Sequence, residues 1–325
     1  MKRKLFILLA AVAVLSSCSR TPAGQKEGET GDVLVCFGAG LADAPTKSED
    51  IDPRDHIESL TALVFDWESG EIVHYQKFNG SEAWLTLRKG LQHDIRFVAN
   101  CSDERLADVK DLSELLLLES SLEDSQDLYV MTGKAAGSFV ADTKVDVVLS
   151  RLCSRITISN ITPVFWNEAL NVHEVRITKV YLTEVCGGIS YFGDITGNGP
   201  WYYRAGIGED IDPLLLGMFH KDLNILVDSD EPHSLDLSLL CYSGDVIGKA
   251  TSQTRLVIES TILGETGYYA VDLPALAPNN EYLIDNIRLL GFGSGSPDGE
   301  YDRNQVSFNI EINSWGESSR DIVME

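Results

Sequence analysis

From Gly31 onward, short apolar runs alternate with clusters of Gly, Asn, Asp and Ser, a rhythm that predicts strands joined by turns. The first group is residues 33–37 (VLVCF), 60–66 (LTALVFD), 71–78 (EIVHYQKF), 83–88 (AWLTLR) and 93–99 (HDIRFVA). Residues 105–118 differ: Leu106, Val109, Leu112, Leu115 and Leu116 recur every three or four positions and predict one amphipathic helix. Residues 41–56 are polar, hold two prolines and lack any apolar period, which predicts an exposed loop open to proteases.

Within residues 143–161 the alternation changes phase. Val145, Val147 and Leu149 occupy odd positions, whereas Leu152, Ile156 and Ile158 occupy even ones, so a bulge or bend is expected around Ser150-Arg151. Strand patterns resume at residues 172–182, 235–241, 254–262, 268–273, 281–290 and 305–312. In the last of these, Val306, Phe308, Ile310 and Ile312 share one face. The pattern predicts an all-β chain of two tandem β-sandwich domains, residues 31–165 and 166–325, with the short helix in the first.

The beginning of the chain follows another rule. Lys2-Arg3-Lys4, the apolar block Leu5 to Leu15, and Leu15-Ser16-Ser17-Cys18 form a basic start, a greasy core and a lipobox-like end. An apolar block this short falls below the roughly 20 residues of a membrane-spanning helix, so residues 1–17 are expected to be a cleaved export signal. Cys18 is the expected lipidation site, holding the mature chain to the outer membrane, with residues 18–30 as a flexible tether.

Charge narrows the partners. The formal charge is −24, and loss of Lys2, Arg3 and Lys4 with the signal makes it more negative, which argues against nucleic acid and against a polybasic grip on anionic lipid. Beyond Cys18 there are five cysteines, Cys36, Cys101, Cys153, Cys186 and Cys241, none at CxxC spacing and most inside strand-like runs. Buried thiols are favoured over metal ligands, and one disulfide is compatible with an oxidising compartment.

Catalytic signatures are scarce. His93-Asp94, His173-Glu174 and His220-Lys221-Asp222 each put a base beside an acid, but strand neighbours are expected to point to opposite faces, and none of the six histidines has zinc-ligand spacing. The segment GFGSGSPDG at 291–299 lacks the Lys-Ser/Thr of a phosphate loop and precedes a strand, so it reads as a hairpin loop. No cofactor, metal site or enzymatic activity is expected. One possible ligand surface is the aromatic run Trp201-Tyr202-Tyr203, which in an exposed loop would serve a glycan-binding lipoprotein or an adhesin for a host or bacterial surface.

Several ordered motifs resemble the fimbrillin family, the lipoprotein-derived pilins of type V pili in Bacteroides-type bacteria. They are Leu63-Val64-Phe65-Asp66, Phe97-Val98-Ala99-Asn100 with Ser102-Asp103, the Val130-Met131-Thr132-Gly133 turn, and Val148-Leu149-Ser150-Arg151 leading into Arg155-Ile156-Thr157-Ile158. The second half carries Ile177 to Leu182, Thr254 to Glu259, Tyr268-Tyr269 to Pro274, Asn280-Glu281-Tyr282 and a final strand ending at Trp315.

The resemblance implies tandem transthyretin-like sandwiches and assembly with other pilin subunits. A trypsin-like protease would cut after Arg or Lys in the loop behind the first strand, and a strand from the next subunit would fill the vacated groove. On this sequence the displaced strand is Val33 to Phe37, with Val33, Val35 and Phe37 facing inward. Lys47 and Arg54 are the candidate processing sites; the resemblance favours Lys47, which sits about where the family is cut relative to the LTALVFD strand, and Arg54 between Pro53 and Asp55 is the poorer context. The donor strand would come from residues 316–325, a weakly apolar segment, and shaft, tip and anchor roles all remain compatible with the sequence.

Overall fold

The computed structural model describes residues 31–41, 52–170, 173–193, 199–204, 210–228, 231–244, 251–300 and 302–315. In the first half the strands are β1 (Asp32–Leu41), β2 (Ser59–Asp66), β3 (Ile72–Asn79), β4 (Glu82–Arg88), β5 (Gln92–Ala99), β6 (Glu119–Ser121), β7 (Met131–Ser138) and β8 (Thr143–Arg151). The second half continues with β9 (Ser154–Pro163), β10 (Val175–Thr183), β11 (Val185–Cys186), β12 (Gly188–Ser190), β13 (Trp201–Tyr202), β14 (His220–Val227) and β15 (His233–Cys241). Then come β16 (Thr251–Ile262), β17 (Glu265–Pro274), β18 (Asn280–Leu289), β19 (Val306–Ser307) and β20 (Glu311–Ser314); the α-helices are α1 (Leu112–Leu117) and α2 (Pro213–Phe219). The chain is all-β in class, as its periodicity predicts.

Seven strands form the first sheet in the order β3-β2-β5-β7-β8-β1-β4. Strands β3 and β4 stand at its two edges, yet only Gly80 and Ser81 separate them in sequence. A flat seven-stranded sheet is about 29 Å wide at ~4.8 Å per strand, whereas this link can span at most about 11 Å. The sheet therefore curls until its edges approach. The enclosed space holds Val35, Phe37, Leu60, Leu85, Ile95 and Phe97, all fully buried.

In the second half, β14-β10-β16-β17 form one sheet, and β15-β9-β18-β19 with β20 on β18 form another. Strand β9 hydrogen-bonds to β15 and runs parallel to β18, so residues 154–163 belong to second-half sheets although they precede the expected boundary at 165. The phase change in the sequence marks this crossing. Only Leu152 and Cys153 separate β8 from β9, both are buried, and the inward parity resets as the chain leaves one sheet for the other.

Four local expectations change. The predicted helix over 105–118 is split into a 3-10 turn, Glu104–Asp108, and α1. The intervening backbone is committed elsewhere: Lys110 O accepts from Ile72 N, and the Asp111 side chain caps α1 by accepting from Glu114 N. The Val130–Gly133 segment is not a turn, because Met131 begins β7. The single strand expected over 305–312 is broken into β19 and β20, and both pair with β18. Finally, the end of the expected loop forms a 3-10 turn, Pro53–Asp55, docked through Asp52, Arg54 and Asp55, with Pro53 and His56 exposed.

Candidate assembly site: the first strand and the junction behind it

Strand β1 lies inside the first sheet. It runs antiparallel to β4, from Asp32 opposite Arg88 to Gly38 opposite Glu82, and parallel to β8, from Val35 opposite Thr143 to Leu41 opposite Leu149. Strand alternation turns Val33, Val35 and Phe37 into the core, where Phe37 meets Phe97 at 5.2 Å and Phe139 at 5.8 Å between ring centroids. Burial of these three side chains contributes roughly 5–9 kcal/mol, at about 1.5–3 kcal/mol each. That is comparable with the whole stability of an ordinary domain, about 5–15 kcal/mol. The first-half fold therefore needs a strand in this place.

Past Leu41 the chain enters residues 42–51, so the candidate processing residue Lys47 lies outside the described residues, as do Cys18 and the 316–325 segment. Arg54, the second candidate, is described and is held tightly. Its Nε and Nη2 donate to Asp52 at 3.1 and 2.9 Å, and its guanidinium lies 4.7 Å from the centroid of the Tyr129 ring. Its carbonyl accepts from Tyr129 N at 2.9 Å, while Tyr129 Oη donates to Asp52 at 2.8 Å. Burial by itself would raise the Asp52 carboxyl, but hydrogen bonds from Arg54 and Tyr129 outweigh it and hold the group below the usual aspartate range.

Next to this knot, Arg151 at the end of β8 donates Nε and Nη2 to Asp55 at 2.6 and 2.7 Å. The two side chains are only 4% and 8% exposed. Arg151 Nη1 also donates to Asn279 Oδ1 and to the Trp315 carbonyl, each at 3.1 Å. The Trp315 ring is sandwiched by charge and aromatic contact: Arg151 at 4.6 Å, Arg155 at 4.3 Å, and Tyr129 at 4.9 Å. Thus the exit of the 42–51 loop, the crossing from β8 to β9 and the root of the C-terminal segment meet in one buried cluster. Sequence reasoning did not single out Asp52, Asp55, Tyr129, Arg151 or Trp315 as site residues. The available signal was an arginine on the inward parity of an apolar strand, the position Arg151 occupies after Val147 and Leu149.

The aromatic run Trp201-Tyr202-Tyr203 does not make a flat exposed platform. Tyr203 is 4% exposed, its hydroxyl pairs with His220 Nδ1 at 3.0 Å, and its ring meets Phe219 edge-on at 5.5 Å. Tyr202 stacks on Phe219, and Arg204 lies over Trp201, both of which are half-buried. Packing of the second half accounts for Tyr203, while Trp201 and Tyr202 keep part of their surface open. Among the described residues, no group of three or more His, Cys, Asp or Glu side chains is placed to hold a metal, and no disulfide links the five buried cysteines.

Against known proteins, residues 37–162 match the family model described as major fimbrial subunit protein (FimA). No curated protein matches. Among solved structures, the chain is similar to a fimbrilin (FimA) from Porphyromonas gingivalis W83, with TM-score 0.64, 14% identity, and coverage of 91% of this chain and 99% of that one.

The fold is the fimbrilin fold. A putative cell adhesion protein from Parabacteroides distasonis superposes with TM-score 0.63 at 17% identity, covering 88% of this chain and 97% of its own. The tip fimbrial protein Mfa3 from Porphyromonas gingivalis gives TM-score 0.50 at 14% identity, over 88% and 100% of the two chains. The family match begins at Phe37 within β1 and ends at Thr162 within β9, so it spans the loop, the Asp52–Arg54 knot and the Arg151–Asp55 pair.

Proposed function

We propose that this chain is a subunit of a cell-surface fimbria, delivered as a lipoprotein through Cys18 and assembled by exchange of its first strand for a strand of a neighbouring subunit. The observation that carries this reading is the position of β1, an internal strand with three buried side chains whose only onward connection is the loop containing Lys47. Loss of such a strand opens a groove with two unpaired backbone edges and an exposed core, and an inserted strand satisfies both. No catalytic step belongs to this mechanism.

Within the same reading, Lys47 is the processing site and Arg54 is not. A trypsin-like protease must take the arginine side chain into its own acidic pocket, while Arg54 keeps its guanidinium on Asp52 and Tyr129 and its carbonyl on Tyr129 N. The Asp52–Arg54 knot and the Arg151–Asp55 pair leave the remaining stub anchored after the cut, so that only β1 and the lipid depart. If the loop stays intact, the same lipid makes the subunit a permanent anchor.

The test is trypsin treatment of the purified chain from Ser19 onward, with mass analysis of the new N-terminus and sizing of the products. Cleavage after Lys47, loss of the fragment that holds β1 and ends at Lys47, and a ladder of multimers are expected. A monomer that survives uncut, or is cut yet retains β1 and never multimerises, would sink the strand-exchange reading. The rival role as a non-polymerising glycan-binding lipoprotein loses its main support with the burial of Tyr203.

A further inference from the structure

At the end of the first sheet away from the second half, three loops each present one large apolar side chain to solvent. Trp67 follows β2 and is 52% exposed, Leu91 precedes β5 at 46%, and Val140 joins β7 to β8 at 65%. Backbone hydrogen bonds tie these loops together: Trp67 N donates to Gln92 O at 3.4 Å, and Gly90 N donates to Phe139 O at 2.8 Å. Leu34, 42% exposed, joins the same rim, because its N–H donates to Asp142 Oδ1 at 2.8 Å. Burial in the core explains none of the four. Five acidic residues, Asp32, Asp66, Glu68, Glu71 and Asp142, and two basic ones, Arg88 and Lys89, surround these side chains.

The position of the chain's beginning says what covers this rim. Gly31, the first described residue, accepts from Lys89 N at 2.9 Å, so the segment leading back to Cys18 departs from the rim itself. Cys18 and Gly31 are thirteen positions apart, a reach of at most about 45 Å at ~3.5 Å per residue. A lipid on Cys18 therefore leaves from this end of the sheet, which a short tether keeps nearest the bilayer. Held at that distance, loop tips need only weak individual affinity to engage the surface, and tryptophan and aliphatic tips suit the headgroup boundary of an uncharged bilayer.

We propose that Trp67, Leu91, Val140 and Leu34 form a docking surface for the lipid bilayer, which seats the lipidated precursor end-on. The inference rests on lipidation of Cys18 and adds an orientation to it. Strand β1 spans ten residues between Asp32 and Leu41, about 33 Å at ~3.3 Å per residue. End-on seating consequently holds Leu41 and Asp52, the described residues that flank the candidate processing site Lys47, at the end of the sheet away from the bilayer.

The test uses the mature lipidated chain in phosphatidylcholine vesicles that contain brominated acyl chains, and the same chain carrying Cys18→Ser mixed with plain phosphatidylcholine vesicles. Quenching of tryptophan emission that disappears in Trp67→Phe is expected in the first. In the second, Trp67→Ser with Leu91→Ser and Val140→Ser should lower vesicle partitioning at least tenfold while the melting temperature is unchanged. Equal quenching with and without Trp67, or equal partitioning of parent and triple variant, overturns the proposal. Self-association without vesicles that the triple variant abolishes would also overturn it and assign the rim to a neighbouring copy. Labelling of cells with a palmitate analogue reports separately whether Cys18 is lipidated, so failure of that premise is distinguishable from failure of the rim.

Discussion

Arg151 and Asp55, 96 positions apart in the chain, face each other through two hydrogen bonds of 2.6 and 2.7 Å with both side chains almost wholly buried. The pair fastens the segment behind the 42–51 loop to the strand that leads into the second half. Its remaining donor capacity reaches Asn279 and the Trp315 carbonyl, so the arginine serves three separate stretches of chain at once.

Removal of one partner leaves the other as an uncompensated buried charge. Asp55→Ala should therefore destabilise the protein by about 3–5 kcal/mol in urea denaturation. The double variant Asp55→Leu with Arg151→Met should recover most of that loss, because it removes both charges and keeps the volume. A double variant no more stable than Asp55→Ala would show that the other partners of Arg151 dominate.

Alternation along β1 makes neighbouring residues unequal. Phe37→Ala deletes a ring packed against Phe97 and Phe139 and should cost about 3–5 kcal/mol. Leu34→Ala, on the exposed face, should cost less than about 1 kcal/mol. After cleavage of the loop, Phe37→Ala should also hasten the departure of β1, which can be followed by the rate at which the fragment ending at Lys47 separates on sizing.

Strand β7 is legible only through its neighbours. A Cβ at Gly133 would lie 2.7 Å from the Leu149 side chain, 2.9 Å from Val147 and 2.9 Å from the backbone oxygen of Val148. Gly133→Ala should thus force β7 away from β8 and cost roughly 1–3 kcal/mol, read as a lowered melting temperature. Gly137→Ala, with its nearest contact at 3.4 Å on the movable Phe139 ring, should be much milder.

His93 supplies a pH dependence. Burial lowers its pKa below the ordinary 6.5, against weaker opposing contributions from the Arg88 backbone and Asp66. A depressed value means the unfolded chain binds the proton first, so His93 contributes stability that is complete above about pH 6.5 and declines as pH falls towards the folded-state value. Asp52, also depressed, begins to lose its contribution only near 3.8 and adds no slope in this window. The melting temperature should fall from pH 7 to pH 5, and His93→Phe should flatten that fall; identical slopes would exclude the assignment.

The all-β class, most strands and the inward face of β1 follow from period-two alternation, since Val33, Val35 and Phe37 carry their burial in their spacing. The phase change near Ser150-Arg151 was visible as a bend, but not as a change of sheet. Strand β7 escaped notice because its sequence, MTGKAAGS, has small residues where close approach to β8 requires them. Strand β14, HKDLNILV, alternates only from Leu223 through Ile225 to Val227, behind a histidine and two charged residues that obscure its start. The helix expected over 105–118 had the right apolar spacing, yet backbone pairing of Lys110 with Ile72 interrupted it.

By itself the sequence determined which residues avoid water and which segments can pair as strands, because burial alternation and turn chemistry are local properties. Tertiary structure alone decided that β1 sits between β8 and β4, that Arg54 is locked while Arg151 binds Asp55, and that Tyr203 is buried against Phe219 and His220. It also decided that Trp67, Leu91 and Val140 share one rim with the start of the chain. The reason is physical: ion-pair partners and neighbouring loop tips are set by distances across the sheet, and residues dozens of positions apart carry no mark in the sequence of which of them will meet.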